Sequence, residues 1–242
     1  MSGRIYSNVH EAIEEVQREL FEMGIDVKGY SYQDKIVEGD EAFTTKELQA
    51  YSFTITTPRL TEALRTVHEW YGEKVHNWVL DEIAERVGFS THGLNPGLAW
   101  CGRKEVWEQF LEADGKFAYT YSERMAPQLN VIIHELKRHP QSRQAIVSIH
   151  NSILDLESLG GKRRIPCSMF YHFLIRRGAM DCIYTMRSSD FLTHFVNDVV
   201  LAILLQDWVR RAVDPGLKMG DFHMFVSSLH AFKKDMDAKG IF

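Results

Sequence analysis

Long apolar runs are scarce in this chain. The longest, Val199 to Leu205, falls far short of the roughly 20 residues that span a bilayer, and the opening Met-Ser-Gly-Arg-Ile-Tyr has no apolar signal core, so no membrane role is expected. A basic excess is also lacking: 28 Lys and Arg face 33 Asp and Glu, for a net charge of -5. Nucleic-acid binders carry a positive stripe, so a polymer partner is excluded while a single locally held phosphate is not. Only three cysteines occur, Cys101, Cys167 and Cys182. An odd number without framework spacing implies free thiols and a reducing compartment, with the cytoplasm expected. Repeats, low-complexity tracts and an interdomain linker are absent.

What is present is an ordinary globular composition, 242 residues with 45% hydrophobic and 25% charged, enough to bury a core without staples or metals. One domain spanning 1–242 is expected. Val9, Ile13, Val16, Leu20 and Phe21 recur at helical spacing between Asn8 and Met23, and Gly24 ends that helix. Gly39 to Thr57 reads as a polar loop feeding a strand with Tyr51, Phe53 and Ile55 on one face, closed by Pro58. Arg59 to Val87 reads as one or two helices, Gly93 to Gly102 as a glycine-rich loop without a phosphate-loop pattern, and Pro127 to Arg138 as a helix. Strands are expected at Ala145–Ile149, Pro166–Ile175, Met180–Met186 and His223–Ser227, with a hairpin turn at Arg176-Arg177-Gly178. Asp198 to Val213 reads as a helix buried in an α+β domain.

Cys167 sits in Arg163-Arg-Ile-Pro-Cys167-Ser-Met-Phe, beside Lys162, Arg163 and Arg164. Basic neighbours favour a thiolate, although a cysteine in a strand is commonly a small buried hydrophobe, the reading kept for Cys182. Downstream runs Arg176-Arg-Gly-Ala-Met-Asp-Cys-Ile-Tyr-Thr-Met-Arg-Ser-Ser-Asp190. A Pro-Cys strand, a hairpin, an Asp-Cys strand and an Arg-Ser-x-Asp element in this order resemble the thymidylate synthase family. The resemblance extends to Gly220-Asp-Phe-His223 and back to His139-Pro-Gln-Ser-Arg143, so it covers the C-terminal half; Tyr121-Ser122 corresponds to the family's Tyr-Gly segment.

The resemblance implies an α+β, thymidylate synthase-like domain with a mixed sheet packed by helices and a sheet-mediated homodimer. It also implies methylenetetrahydrofolate as the one-carbon donor and a pyrimidine nucleoside monophosphate as substrate. By it, the Cys167 thiolate adds to C6 of the pyrimidine and makes C5 a nucleophile. Arg187 and Ser188 match the phosphate-binding pair, Asp190 belongs to the same element, and Arg143 matches an arginine that reaches the phosphate from the other subunit. Gln144 stands where the family has a second arginine. Tyr121 is implied near the reacting centre. His223 matches a sugar-binding histidine, while Phe225 replaces the family's tyrosine and removes a hydrogen bond worth about 0.5–1.5 kcal/mol.

Two positions set the specificity and the acid/base chemistry. Counted without a gap from Arg187, Asp198 falls where thymidylate synthases carry the asparagine that reads uracil and where deoxycytidylate hydroxymethylases carry Asp. A one-residue gap would give that place to Asn197, and a helix N-cap is the structural alternative for Asp198. The family's general acid/base glutamate aligns at Val67, so Glu69, or His68 beside it, is the candidate replacement. His172 and His194 read as structural, with no metal spacing. The expected activity is 5-hydroxymethylation of dCMP or CMP. The alternatives are a thymidylate synthase or dUMP hydroxymethylase, and a non-catalytic nucleotide-binding homologue.

Overall fold

The computed structural model describes residues 3–32, 35–89, 93–102, 107–159 and 163–238. Strand β1 (Arg4–Tyr6) leads into helix α1 (Val9–Met23), whose N-terminus is capped by Asn8 accepting from the Glu11 N–H at 2.8 Å. Its apolar stripe, with Val9, Ile13, Val16 and Leu20 fully buried, is the one read from the sequence. Three short strands follow, β2 (Ile25–Lys28), β3 (Ser31–Tyr32) and β4 (Lys35–Ile36), then the long β5 (Thr44–Ile55). The stretch expected to be one or two helices is two, α2 (Leu60–Tyr71) and α3 (Glu73–Arg86), broken at Gly72, whose φ of 82° suits only glycine comfortably.

The expected Gly93–Gly102 loop holds a short helix, α4 (Leu98–Gly102). Helix α5 (Tyr121–Arg138) starts ahead of Pro127, because Thr120 and Glu123 form a reciprocal capping box that nucleates it earlier. Strands β6 (Ile146–Ser148), β7 (Ser168–Arg176) and β8 (Ala179–Asp190) come next, and the β7–β8 turn places Arg177 and Gly178 at φ of 52° and 72°, as a tight hairpin needs. A π-helical turn, Phe191–Phe195, then feeds α6 (Val196–Val213), followed by β9 (Lys218–Phe232) and α7 (Lys233–Ala238).

The main sheet runs β1–β5–β9–β8–β7–β6, with β2 on the same edge of β5 as β1; β5 is antiparallel to β9, and β9 parallel to β8. Helix α6 lies across it. Phe191–Val213 is long and apolar enough to cross a membrane by length and composition, yet 72% of that window is buried inside the fold, so it is a core helix. Gln206 on α6 donates to the Met180 carbonyl at 2.8 Å, tying helix to sheet. Beside it β9 approaches β8 so closely that a Cβ on Gly220 would lie 2.5 Å from that same carbonyl, which explains the glycine of the Gly-Asp-Phe-His segment by packing.

Across three neighbouring strands the side-chain alternation slips by one residue at the same level. In β9 the buried positions are Phe222, Met224 and Val226 and then Leu229 and Ala231; in β8 they are Cys182, Tyr184 and Met186 and then Ser189. In β5, Tyr51, Phe53 and Ile55 are buried, and beyond the slip Leu48 packs on the core. The registers on either side, Gln49↔Ser228 and Tyr51↔Val226, put Ala50 level with Ser227 and Arg187, and Ala50 takes a φ of 51°, which flips the alternation while the pairing stays one-for-one. Beyond this row Glu47, Ser228, His230, Ser188 and Asp190 face away from the helices. Before it, the same outer face carries Phe170, Ile183 and the exposed Phe225.

Ala50 is solvent-exposed, so its conformation can be tested without disturbing packing. Ala50→Gly should be neutral or stabilising, whereas Ala50→Val, β-branched at positive φ, should cost about 1–3 kcal/mol in denaturant unfolding.

Candidate active site

Where the slipped ends of β5, β9 and β8 meet α3, the loop before β7 and the start of α6, they enclose a cavity of about 410 Å³. Cys167 stands at its wall, half-buried just ahead of β7. Its position is fixed from three sides. The Tyr121 hydroxyl accepts from the backbone N–H groups of Cys167 and Ser168 at 3.2 and 3.3 Å, and the Arg187 N–H donates to the Cys167 carbonyl at 2.8 Å. Arg187 also donates to the carbonyls of Pro166 and Ile165 at 2.9 and 2.8 Å. The sulfur itself receives Ser188 Oγ at 3.5 Å and Arg187 Nη2 at 3.8 Å, donors suited to hold a negative sulfur or an arriving anion. Cys182, by contrast, is buried with its thiol pushed up by desolvation, the inert state its strand position implied. Lys162 and the Cys101 side chain lie outside the described residues.

In the same cavity, Asp198 accepts from Ser189 Oγ at 3.1 Å. Desolvation pushes its carboxyl up to about 7, against the opposing pull of Arg86 and the Ser189 hydrogen bond. It lies inside α6, two residues after the helix begins, so the N-cap alternative does not hold; Asp190 is the capping residue, accepting from the Leu192 N–H at 3.1 Å at the head of the π turn. Burial also pushes the Asp190 carboxyl and the Tyr121 hydroxyl up. Asn197 lines the same cavity, 2% exposed, with its Oδ1 lacking a hydrogen-bond partner among the described residues.

Helix α3 supplies what sequence reading missed. Trp78, Glu82 and Arg86, spaced by four, line the cavity on one helix face. Arg86 is 3% exposed. It pairs with Glu82, donates to the Tyr171 hydroxyl at 3.2 Å and lies 5.0 Å from the Tyr121 ring centroid. A charged pair at this spacing inside an apolar helix face was the signal that could have found it. Glu69 does not join them. It lies on the exposed side of α2, 3.6 Å from both Arg65 and His10, while Val67 is fully buried in the core and His68 rings against His76. None of the three lines the cavity.

The residues that the resemblance assigned to the sugar lie elsewhere. His223 lies before the slip, bonded to Thr54 Oγ1 at 2.9 Å on the outer sheet face, with Phe225 on that face too; neither lines the cavity. The second His-x-Phe of β9, His230 and Phe232, does. Arg143 is exposed ahead of β6, outside the cavity, its backbone carbonyl 3.1 Å from His172 Nε2. The remaining wall is aromatic: Trp78 donates to the Ala99 carbonyl at 2.7 Å, Trp107 stacks on His194 with centroids 5.9 Å apart, and Arg164 sits 4.6 Å from the Trp107 ring centroid. Among the described residues no three His, Cys, Asp or Glu converge as a metal site.

The thymidylate synthase family model matches residues 36–240. The chain belongs to the thymidylate synthase family. A provisionally named thymidylate synthase of Methanocaldococcus jannaschii is 27% identical over 207 residues, covering 84% of this chain and 83% of that protein. Thermostable thymidylate synthase A from Bacillus subtilis shares the fold with a TM-score of 0.66 at 15% identity, over 97% of this chain and 83% of that one. The α+β fold with its mixed sheet is therefore the one expected. Thymidylate synthases are one-carbon transferases that bind a nucleoside monophosphate and methylenetetrahydrofolate.

The raised carboxyls carry a stability signature. Asp198 ionises at about 7 in the fold and at about 3.9 unfolded, so the folded chain holds an extra proton between those values and stability falls as pH rises through that window. Asp198→Asn removes this dependence. Its thermal stability relative to wild type should improve as pH rises from about 4.5 to about 7 and level off above that, while each protein alone keeps the slope due to Glu85, which desolvation also pushes up to about 7. A difference between the two proteins that does not change with pH would contradict the assignment.

Proposed function

We propose that this thymidylate synthase homologue is a cytidylate 5-hydroxymethyltransferase acting on dCMP or CMP. The observation that carries the reading is the placing of the Asp198 carboxyl in the same cavity as Cys167, Arg187 and Ser188, held by Ser189 Oγ and raised by desolvation to about 7. Cytosine presents an amino donor next to an unprotonated N3, and a carboxyl near half-protonation can accept from the first and donate to the second. An ordinary carboxylate would repel the N3 lone pair.

In this mechanism Cys167 Sγ forms a bond to C6, and Asp198 passes its proton to N3 so that the ring electrons collect at C5 without building charge. Arg187 and Ser188 hold the phosphate next to the sulfur. Glu82, on the cavity face of α3, takes the place of the family's α2 glutamate as acceptor of the C5 proton, and Tyr121 lies against its ion-pair partner Arg86. Methylenetetrahydrofolate, when bound, supplies a one-carbon unit at the formaldehyde level. The flat aromatic wall of Trp78, Trp107 and His194 fits its planar ring system, and Asp190 lines the same cavity. Once the carbon is bonded to C5 and its bond to the folate nitrogen breaks, a water adds to that carbon and gives up a proton; breaking the Sγ–C6 bond returns the N3 proton to Asp198 and releases the product, which has gained CH2O.

A homodimer through the outer sheet face completes the reading. The exposed Phe225, with Phe170 and Ile183, supports such a contact, and Arg143 lies close enough to that face, through His172, to serve a partner's phosphate site. A second reading, a thymidylate synthase or dUMP hydroxymethylase, is favoured by one observation: the unpartnered Asn197 Oδ1 in the same cavity suits the N3–H of uracil.

Tritium release from 5-tritiated cytidylates and uridylates, with methylenetetrahydrofolate present, separates these readings. Release from a cytidylate with a CH2O gain in product mass is expected. Cys167→Ser should abolish release, and Asp198→Asn should shift preference towards uridylates by about 10-fold or more, the worth of one charged hydrogen bond. Release from uridylates alone by the wild type would transfer base reading to Asn197.

A further inference from the structure

Beyond the slip, the outward-turned side chains of three strands form rows, all of which line the cavity except the exposed Gln49. Ser188, Ser228 and Gln49 make one, and Asp190, His230 and Glu47 the next, as the registers Asp190↔His230 and Glu47↔His230 require. His230 thus stands between two carboxylates on neighbouring strands. Asp190 is committed to capping the π turn through the Leu192 N–H. Glu47 is not so committed. It accepts from Ser228 Oγ at 2.7 Å and from Gln49 Nε2 at 3.4 Å, both short-range neighbours on the same sheet face, and it lines the cavity half-exposed. His230 engages Ser228 through Nδ1, and its Nε2 has no partner among the described residues.

Two carboxylates make this row hostile to phosphate, which belongs with Arg187 and Ser188, and the base edge is met by Asp198 and Asn197. The part of a nucleotide left for the row is the sugar. Hydroxyls on adjacent ribose carbons lie within hydrogen-bond distance of each other, so an imidazole and a carboxylate converging from neighbouring strands can each take one. Resting on the nucleotide reading above, we propose that Glu47 accepts the ribose 2′-hydroxyl beside His230 at the 3′-hydroxyl, so that the enzyme works on ribonucleotides, CMP ahead of dCMP. A deoxyribonucleotide would leave Glu47 facing a carbon that offers it nothing.

Calorimetric binding of CMP, dCMP, UMP and dUMP to the full chain tests this. The ribonucleotide should bind about 10-fold tighter than its deoxy counterpart in whichever base series binds, the size of one hydrogen bond to a charged acceptor. Glu47→Gln should bring ribonucleotide affinity down to the deoxy level and leave deoxy affinity unchanged. Ser228→Ala, which removes a neighbour of Glu47 but keeps its charge, should preserve the ratio. Equal ribo and deoxy affinities in the wild type would overturn the proposal. So would a Glu47→Gln change that weakens both alike, or one that raises only the KM for folate. Binding of uridylates alone would overturn the cytosine reading while the sugar ratio is still read, and no binding by any of the four would overturn both.

Discussion

A pleated strand that kept its alternation through β5 would put Glu47 on the same face as Tyr51, in the core. The one-residue slip at Ala50, repeated beside it at Ser227 and Arg187, prevents this. Leu48, Leu229 and Ser189 turn inward under α1 and α6, and polar side chains of all three strands turn outward together. The cavity wall is this outward-turned grid. Because the slip is shared by adjacent strands, the ladder hydrogen bonds continue on either side of it, and the local cost falls on one exposed alanine at positive φ.

The second condition is charge placed where water is scarce. Arg86 is nearly wholly buried, and a lone buried guanidinium would be prohibitively costly. Glu82 one turn earlier, the Tyr171 hydroxyl and the Tyr121 ring meet it. Arg86 then acts on Asp198 through space and opposes the desolvation that raises its carboxyl, so the group settles near 7 rather than higher. In the proposed chemistry a carboxyl at that point can lend and recover a proton within one turnover.

Much of this was legible beforehand. The Pro-Cys, Asp-Cys and Arg-Ser-x-Asp segments announced the fold family and brought Cys167, Arg187, Ser188, Asp190 and Asp198 to one cavity, because they lie on adjacent strands and the helix that follows. His223 lies outside the cavity for a geometrical reason. Two His-x-Phe segments occur in β9, and only the slip, which no periodicity count along one strand reveals, decides which faces the site. Glu69 was chosen from an anchor on α2, but that helix buries Val67 and turns Glu69 to solvent, while the cavity takes its carboxylate from the next helix. The early start of α5 was hidden by Pro127, although Thr120-Tyr-Ser-Glu123 spells a capping box. Strands β1 to β4 were too short for an alternation to show.

The central claim is that Cys167 attacks a cytosine. Intact-protein and peptide mass spectrometry of the chain incubated with methylenetetrahydrofolate and a 5-fluorocytidylate tests it most directly, since fluorine at C5 cannot leave as a proton does and the adduct is held. The account predicts a stable adduct of nucleotide and folate on the peptide containing Cys167. Trapping by 5-fluorouridylate alone, or no adduct with either nucleotide, would contradict it.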